Sequence, residues 1–174
     1  MEEVLALIDK IIAEHKLIIE KAQSLEQIAN DTEAMAALEK AKDTFIPGRF
    51  EQKEELQGFR EILEAMDQGV KAHFKREETG LLAAFEKHGG KELLAALRAL
   101  LLEHAELRER LAHSKKHVAE LIDGGLSQHL WQASAHDMRA HISHTRKLLA
   151  GHAENEQKLL RKLRDRLARE DGQK

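Results

Sequence analysis

The chain contains no cysteine, which excludes disulfides, thiolate zinc sites, cysteinyl iron–sulfur clusters and covalently attached c-type haem. Any metal has to be held by histidine and carboxylate. Proline occurs once and glycine 10 times in 174 residues, so helix-breaking residues are scarce, and with 3% aromatics there is almost no material for strands. No apolar run approaches the roughly 18 residues that could span a bilayer. The start, Met1-Glu2-Glu3-Val4, is acidic where a secretory signal would be basic. A cytoplasmic location without a membrane partner is the expectation. Charge of one sign is missing too: Lys and Arg number 28 against 31 Asp and Glu, interspersed, for a formal net charge of −3. Such a surface has no basic field to draw nucleic acid by counterion release.

What is present is Leu, Ala, Glu, Lys and Arg, the composition of a nearly all-helical chain, in a length suited to one domain over residues 1–174. Apolar residues recur at helical spacing in four stretches. Leu5, Ile8, Ile11, Ile12, Ile18, Ile19, Ala22 and Leu25 predict a first helix over about 2–29, ending near Asn30-Asp31, with a short helical connection over 31–44 closed by Pro47-Gly48. A second helix is expected over about 50–87, stopped by Gly89-Gly90, and a third over about 91–122, stopped before Gly124-Gly125. The fourth is expected over about 134–169, with Ser134 as its N-cap. Four long amphipathic helices joined by short turns can bury their stripes only against one another, which predicts an all-α, up-down four-helix bundle.

Eleven histidines are several times what an ordinary domain of this size carries. Three His-x-x-x-Glu pairs occur, His73/Glu77, His88/Glu92 and His152/Glu156, and one or two are expected by chance. The His88 pair straddles Gly89-Gly90 and cannot lie on one continuous helix. His73 follows Val70 and Met66 on the apolar stripe, and Glu77 precedes Leu81 by one turn. His152 follows Leu148 and Leu149, and Glu156 precedes Leu159, Leu160 and Leu163. His15 interrupts Ile11, Ile12, Ile18 and Ile19, and His104 interrupts Leu100, Leu101, Leu107 and Leu111. Every helix thus points one histidine inward. Two carboxylates and four imidazoles removed from water would cost several kcal/mol each unless a positive partner joined them, and a pair of divalent ions supplies that charge.

Residues that share a site must share a height. His73 and His104 are each roughly 22 Å from the first Gly pair at 1.5 Å per residue, hence level. His152 is level with them only if the fourth helix starts near Ser134; a start near Ser127 would favour His141 or His144 instead, though neither has a carboxylate four residues on.

These residues in this order resemble the hemerythrin-like, or HHE cation-binding, family: Glu14-His15; His73-Phe74-Lys75-Arg76-Glu77-Glu78 followed by Leu81-Leu82; Glu103-His104 followed by Leu107-Arg108; and His152-Ala153-Glu154-Asn155-Glu156 followed by Leu159. The resemblance implies a hemerythrin-like bundle with two iron ions, Glu77 and Glu156 bridging them and the four histidines as terminal ligands, interacting with oxygen, nitric oxide or peroxide. Zinc or manganese in the same cage, and a metal-free structural bundle, are the alternatives. One departure stands out: hemerythrins proper carry a further histidine where this chain has Arg108, which cannot coordinate a metal, so a five-histidine oxygen carrier is not expected. Ferritin-like bundles use Glu-x-x-His pairs, and the chain contains none.

Other features read more plainly. His113 and His117, spaced i, i+4, are expected on the solvated surface with adventitious metal capture as the alternative, and His136 lies opposite His152 on the helical wheel. His141 is expected as a hydrogen-bonded core histidine, with an outer-shell or second-site role as the lesser reading. Trp131 is expected to be ordinary packing. The basic stretch Lys158 to Arg169 is expected to complement the helix dipole while Leu159, Leu160, Leu163 and Leu167 continue the core stripe.

Overall fold

The computed structural model describes residues 2–40 and 50–171. The expected break at Pro47-Gly48 and the 41–44 end of the expected connection lie outside these residues. Among the described residues every element is helical: α1 (Glu2–Lys40), α2 (Phe50–Arg76), a π turn (Glu77–Leu81), α3 (Leu82–His88), α4 (Gly90–Leu101), α5 (Glu103–Ile122) and α6 (Gln128–Asp171). The π turn joins α2 and α3 into the single second rod expected from the apolar spacing, and α4 and α5 make the third with one interruption at Leu102. Gly90 (φ 67°) and Gly124 (φ 69°) adopt the left-handed backbone at the two reversals, which explains why glycine stands there.

Two expected boundaries move. The first helix does not end at Asn30-Asp31 but runs on to Lys40. Neither residue forbids a helix, Ala29 and Thr32 are buried, and the Thr32 hydroxyl donates to the Ile28 carbonyl at 2.9 Å. The fourth helix begins at Gln128 rather than 134, with Ser127 at the cap: its carbonyl accepts from Trp131 N at 2.8 Å and its hydroxyl lies 3.5 Å from Leu130 N.

The rods form a helical bundle in which α1 packs on α2 and α6, and α5 packs on α2 and α6. Asp9 pairs with Arg164, His15 with Glu156 and Glu26 with Arg146, so α1 and α6 run in opposite directions. The same holds for α5 and α6, where Leu121 meets Trp131, Arg110 meets His141 and Glu103 meets His152.

The apolar core comes in two blocks. One gathers Leu25, Phe59, Leu63, Val70, Phe74, Leu111, Val118, Trp131 and Met138; the other gathers Ile8, Ile11, Leu81, Phe85, Leu97, Leu160, Leu163 and Leu167. Each fully buried side chain of this kind contributes about 1.5–3 kcal/mol. Between the blocks lies a polar layer: His15, His73, Glu77, His104, His152 and Glu156 are all at most 3% exposed. Trp131 is ordinary packing, as expected, with its indole N–H donating to the Leu121 carbonyl at 3.2 Å. The Leu face of the C-terminal stretch is buried in the second block. No helix among the described residues is long and apolar enough to cross a membrane.

Candidate metal centre

The polar layer forms because each rod breaks its aliphatic stripe with histidine or carboxylate at the same depth; the other buried polar residues, Thr32, Asp67, Ser114 and Thr145, lie apart from it along the rods. On α1, His15 stands between Ile11 and Ala22; on α2, His73 and Phe74 precede the π turn; on α5, His104 precedes Leu107; on α6, His152 and Glu156 stand between Leu149 and Leu159. The π turn starts at Glu77, and such one-residue insertions favour functional positions. Here Glu77 faces the interior, its neighbour Glu78 reaches α5, and Leu81 rejoins the core with no exposure.

The ligating atoms fall into two groups, each within 4.8 Å: His15, His73, Glu77 and Glu156 in the first, Glu77, His104 and His152 in the second. Glu77 belongs to both. Its Oε1 lies 2.6 Å from His73 Nε2 and 3.5 Å from His15 Nε2, while its Oε2 lies 3.1 Å from His104 Nε2. Glu156 Oε2 lies 2.9 Å from His15 Nε2, and the Nε2 atoms of His104 and His152 face each other at 3.2 Å. All six residues singled out in the sequence therefore meet. Glu77 has the reach of a bridge, whereas Glu156 groups with the first set alone.

The His104–His152 contact is a hydrogen bond, but those of Glu77, Glu156 and His15 are close without being hydrogen bonds. Both carboxylate oxygens of Glu77, both of Glu156 and both nitrogens of His15 are buried with no hydrogen-bond partner. Leaving one such group unsatisfied costs about 1–3 kcal/mol, more if it is charged, and here six atoms in one layer share the condition. Two ligands held about 2.0–2.2 Å from one ion stand about 2.8–3.6 Å apart at octahedral to tetrahedral angles, close to the spacings above. The donor set and the orphaned atoms fit two cations.

Three of the four imidazoles are aimed from behind. His73 Nδ1 donates to Glu14, His104 Nδ1 to Glu78 and His152 Nδ1 to Glu103, each at 2.9 Å, leaving Nε2 to face the layer. Arg76 clasps Glu14 with contacts of 3.1 and 2.6 Å, and Arg108 pairs with Glu78. Arg108 thus stands two bonds behind His104, with its guanidinium 5.3 Å from the Phe74 ring, which itself stacks on His104 at 3.7 Å. These supporting carboxylates were not assigned from the sequence, although all three adjoin a ligand there.

Burial and mutual contact shift the ionisable groups of the layer in opposite directions. Burial opposes charge on His15, but Glu156 and Glu77 outweigh it and hold its pKa at about 9. Burial lifts the Glu156 carboxyl to about 7, with His15 opposing and Glu77 reinforcing. For Glu77 burial is overcome by His104, His15 and His73, which keep it well below the usual carboxylate range. Burial and the neighbouring His104 lower His152, against the pull of Glu103.

The competing residues stay outside. His144 and His136 are exposed, and His141 is half-buried with Nε2 donating to the Arg110 carbonyl at 3.1 Å. The height argument that favoured His141 or His144 fails for two reasons. The first turn of α6 overhangs the end of α5, as the contact between Trp131 and Leu121 marks. Side chains also lean toward their helix N-terminus, so on opposed helices His152 leans back toward the connecting turn while His104 leans away from it. His88 faces Glu170, 3.3 Å away. Comparison of the chain with family models, curated proteins and solved structures returns no match.

Proposed function

We propose that this chain is a hemerythrin-like, up-down four-helix bundle whose buried layer holds two iron ions and binds or senses a small ligand, oxygen, nitric oxide or peroxide. The observation that carries the reading is the set of six buried, unpartnered atoms of Glu77, Glu156 and His15 converging on the Nε2 faces of three carboxylate-aimed histidines. One ion would be held by His15, His73, Glu77 and Glu156, the other by Glu77, His104 and His152. Bound there, iron supplies redox chemistry and open coordination positions, and the second group, with two imidazoles and one carboxylate, leaves more of them. The protein excludes bulk water with its two apolar blocks, fixes the imidazole tautomers through Glu14, Glu78 and Glu103, and shares one carboxylate between the ions. A cleft of about 320 Å³ between α5 and α6, lined by Glu103, Lys147, Gly151 and His152 among others, touches the outer edge of the second group at His152.

Nitrogen and oxygen donors alone do not select iron over zinc or manganese, so the test has to identify the metal. Anaerobic reconstitution with ferrous iron is expected to give two ions per chain and an optical band that appears on exposure to air. Fewer than one ion per chain rejects the reading; two iron ions with no air-dependent band rejects oxygen chemistry at this site, and tighter binding of zinc or manganese in competition assigns the cage to that metal.

A further inference from the structure

Outside the buried layer, a second set of imidazoles converges on the surface. His113 and His117 lie one turn apart on α5, and His141 faces them from α6, where surface solvation and core packing were the expectations. The ring centroids of His113 stand 4.4 Å from those of His117 and 4.8 Å from His141, and the His117 and His141 rings are 6.2 Å apart. Imidazoles bound to one ion at about 2.0–2.1 Å through nitrogen place their ring centres roughly 4.5–5.2 Å apart at octahedral to tetrahedral angles; the two spacings about His113 lie close to this, and the His117 and His141 rings would have to close by about 1 Å to share an ion. Inside the buried layer the corresponding spacings are 4.7 Å for His15 and His73 and 4.9 Å for His104 and His152.

Two further observations point to a ligand. His117 Nδ1 is sealed from water with no hydrogen-bond partner. His141 commits Nε2–H to the Arg110 carbonyl at 3.1 Å, which fixes the tautomer and leaves the Nδ1 lone pair available, the same use of one ring nitrogen to prepare the other that serves metal-ligating histidines. Burial and the neighbouring imidazoles keep His141 below its ordinary value and so neutral. His113 and His141 border an open groove of about 610 Å³, with His117 behind them, and Glu109 stands there one turn before His113 as a further donor. Of the cations beside it, Arg110 is paired with Glu106 at 2.9 Å, and Lys116 is exposed.

We propose that His113, His117 and His141 form a separate, solvent-facing site for one divalent late transition ion, of the zinc or copper class, that clamps α5 to α6. His141 precedes His152 by eleven residues, about 16 Å along α6, so the clamp and the buried centre bind independently.

The test is titration of the full chain with Zn²⁺, and separately with Cu²⁺, by calorimetry and chelator competition. Wild type is expected to bind one equivalent more than the buried layer accounts for. His113→Ala/His117→Ala, and separately His141→Gln, are expected to weaken that equivalent by about 100-fold or more while leaving the others intact. A Glu77→Gln/Glu156→Gln chain is expected to keep the surface equivalent, so failure of the buried centre is read separately from failure of this site. Circular dichroism checks the fold of each variant, and His141→Gln suffices if the double variant does not fold. Unchanged binding in the histidine variants, or wild-type binding weaker than about 1 mM, overturns the proposal.

Discussion

Replacement of Glu77 by glutamine tests the buried layer most directly, because the change keeps the side chain's shape and removes one charge that both ligand groups share. A ligand that binds only the folded state at 1,000 times its dissociation constant stabilises by about 4 kcal/mol. Two such ions would contribute roughly 8 kcal/mol, and at about 2–4 °C per kcal/mol for a chain of this size the melting temperature should rise by roughly 16–30 °C on loading. Glu77→Gln strips an anionic donor from both groups at once, so its metal-induced rise should be less than half that of wild type. The metal-free variant should lose stability too, because the surrounding histidines favour the Glu77 carboxylate, so the comparison rests on the metal-induced rise of each protein rather than on its metal-free melting temperature. Differential scanning calorimetry with and without a saturating ion reads all four values. Equal metal-induced shifts in wild type and Glu77→Gln, or no shift in either, would refute the reasoning, and a metal-free variant more stable than wild type would favour a purely structural bundle.

Three other outcomes follow from the geometry. Glu14→Gln should weaken metal at the first group, and Glu78→Gln or Glu103→Gln at the second, by about 10–100-fold each, measured by chelator competition; an effect spread evenly over both ions would contradict the assignment of each carboxylate to its histidine. Metal uptake near pH 7 should release about 1.5 protons, from His15 with a pKa of about 9 and Glu156 at about 7, and far fewer near pH 10; heats of binding that do not vary with buffer ionisation at pH 7 would exclude this. Above about pH 6.5, where the lowered His152 and His141 are largely neutral in both states, the raised values of His15 and Glu156 leave the extra protons on the folded chain, so melting of the metal-free protein should come earlier as pH rises to about 9. Trp131→Ala should cost about 3–5 kcal/mol, since the indole is fully buried and hydrogen-bonded; a melting temperature within 2 °C of wild type would count against the described core.

The inward residues were legible because an imidazole or carboxylate amid Ile and Leu at a 3.6-residue period has only one face to occupy. That is why His15, His73, Glu77, His104, His152 and Glu156 could be named from spacing alone. Glu14, Glu78 and Glu103 could not be given their partners, because each aims a histidine on the neighbouring rod while sitting in sequence beside a ligand of its own rod. The π turn at Glu77–Leu81 leaves no mark in the apolar pattern, since Leu81 is buried with or without it. The helix ends near residues 31 and 127 were misplaced for the ordinary reason that Asn, Asp and Ser permit a helix end without requiring one, and packing of Thr32 and Trp131 decided the matter.

The division of the ligands between the halves of the chain has a consequence for how the protein would acquire its metal. The first two rods bring His15, His73 and Glu77 but lack Glu156; the last two bring His104, His152 and Glu156 but lack Glu77. Each half lends the other one carboxylate, so neither hairpin is a complete cage. On the proposed reading, loading would wait for the halves to dock, and the ions would act as rivets between them, tying affinity for metal to the integrity of the whole bundle.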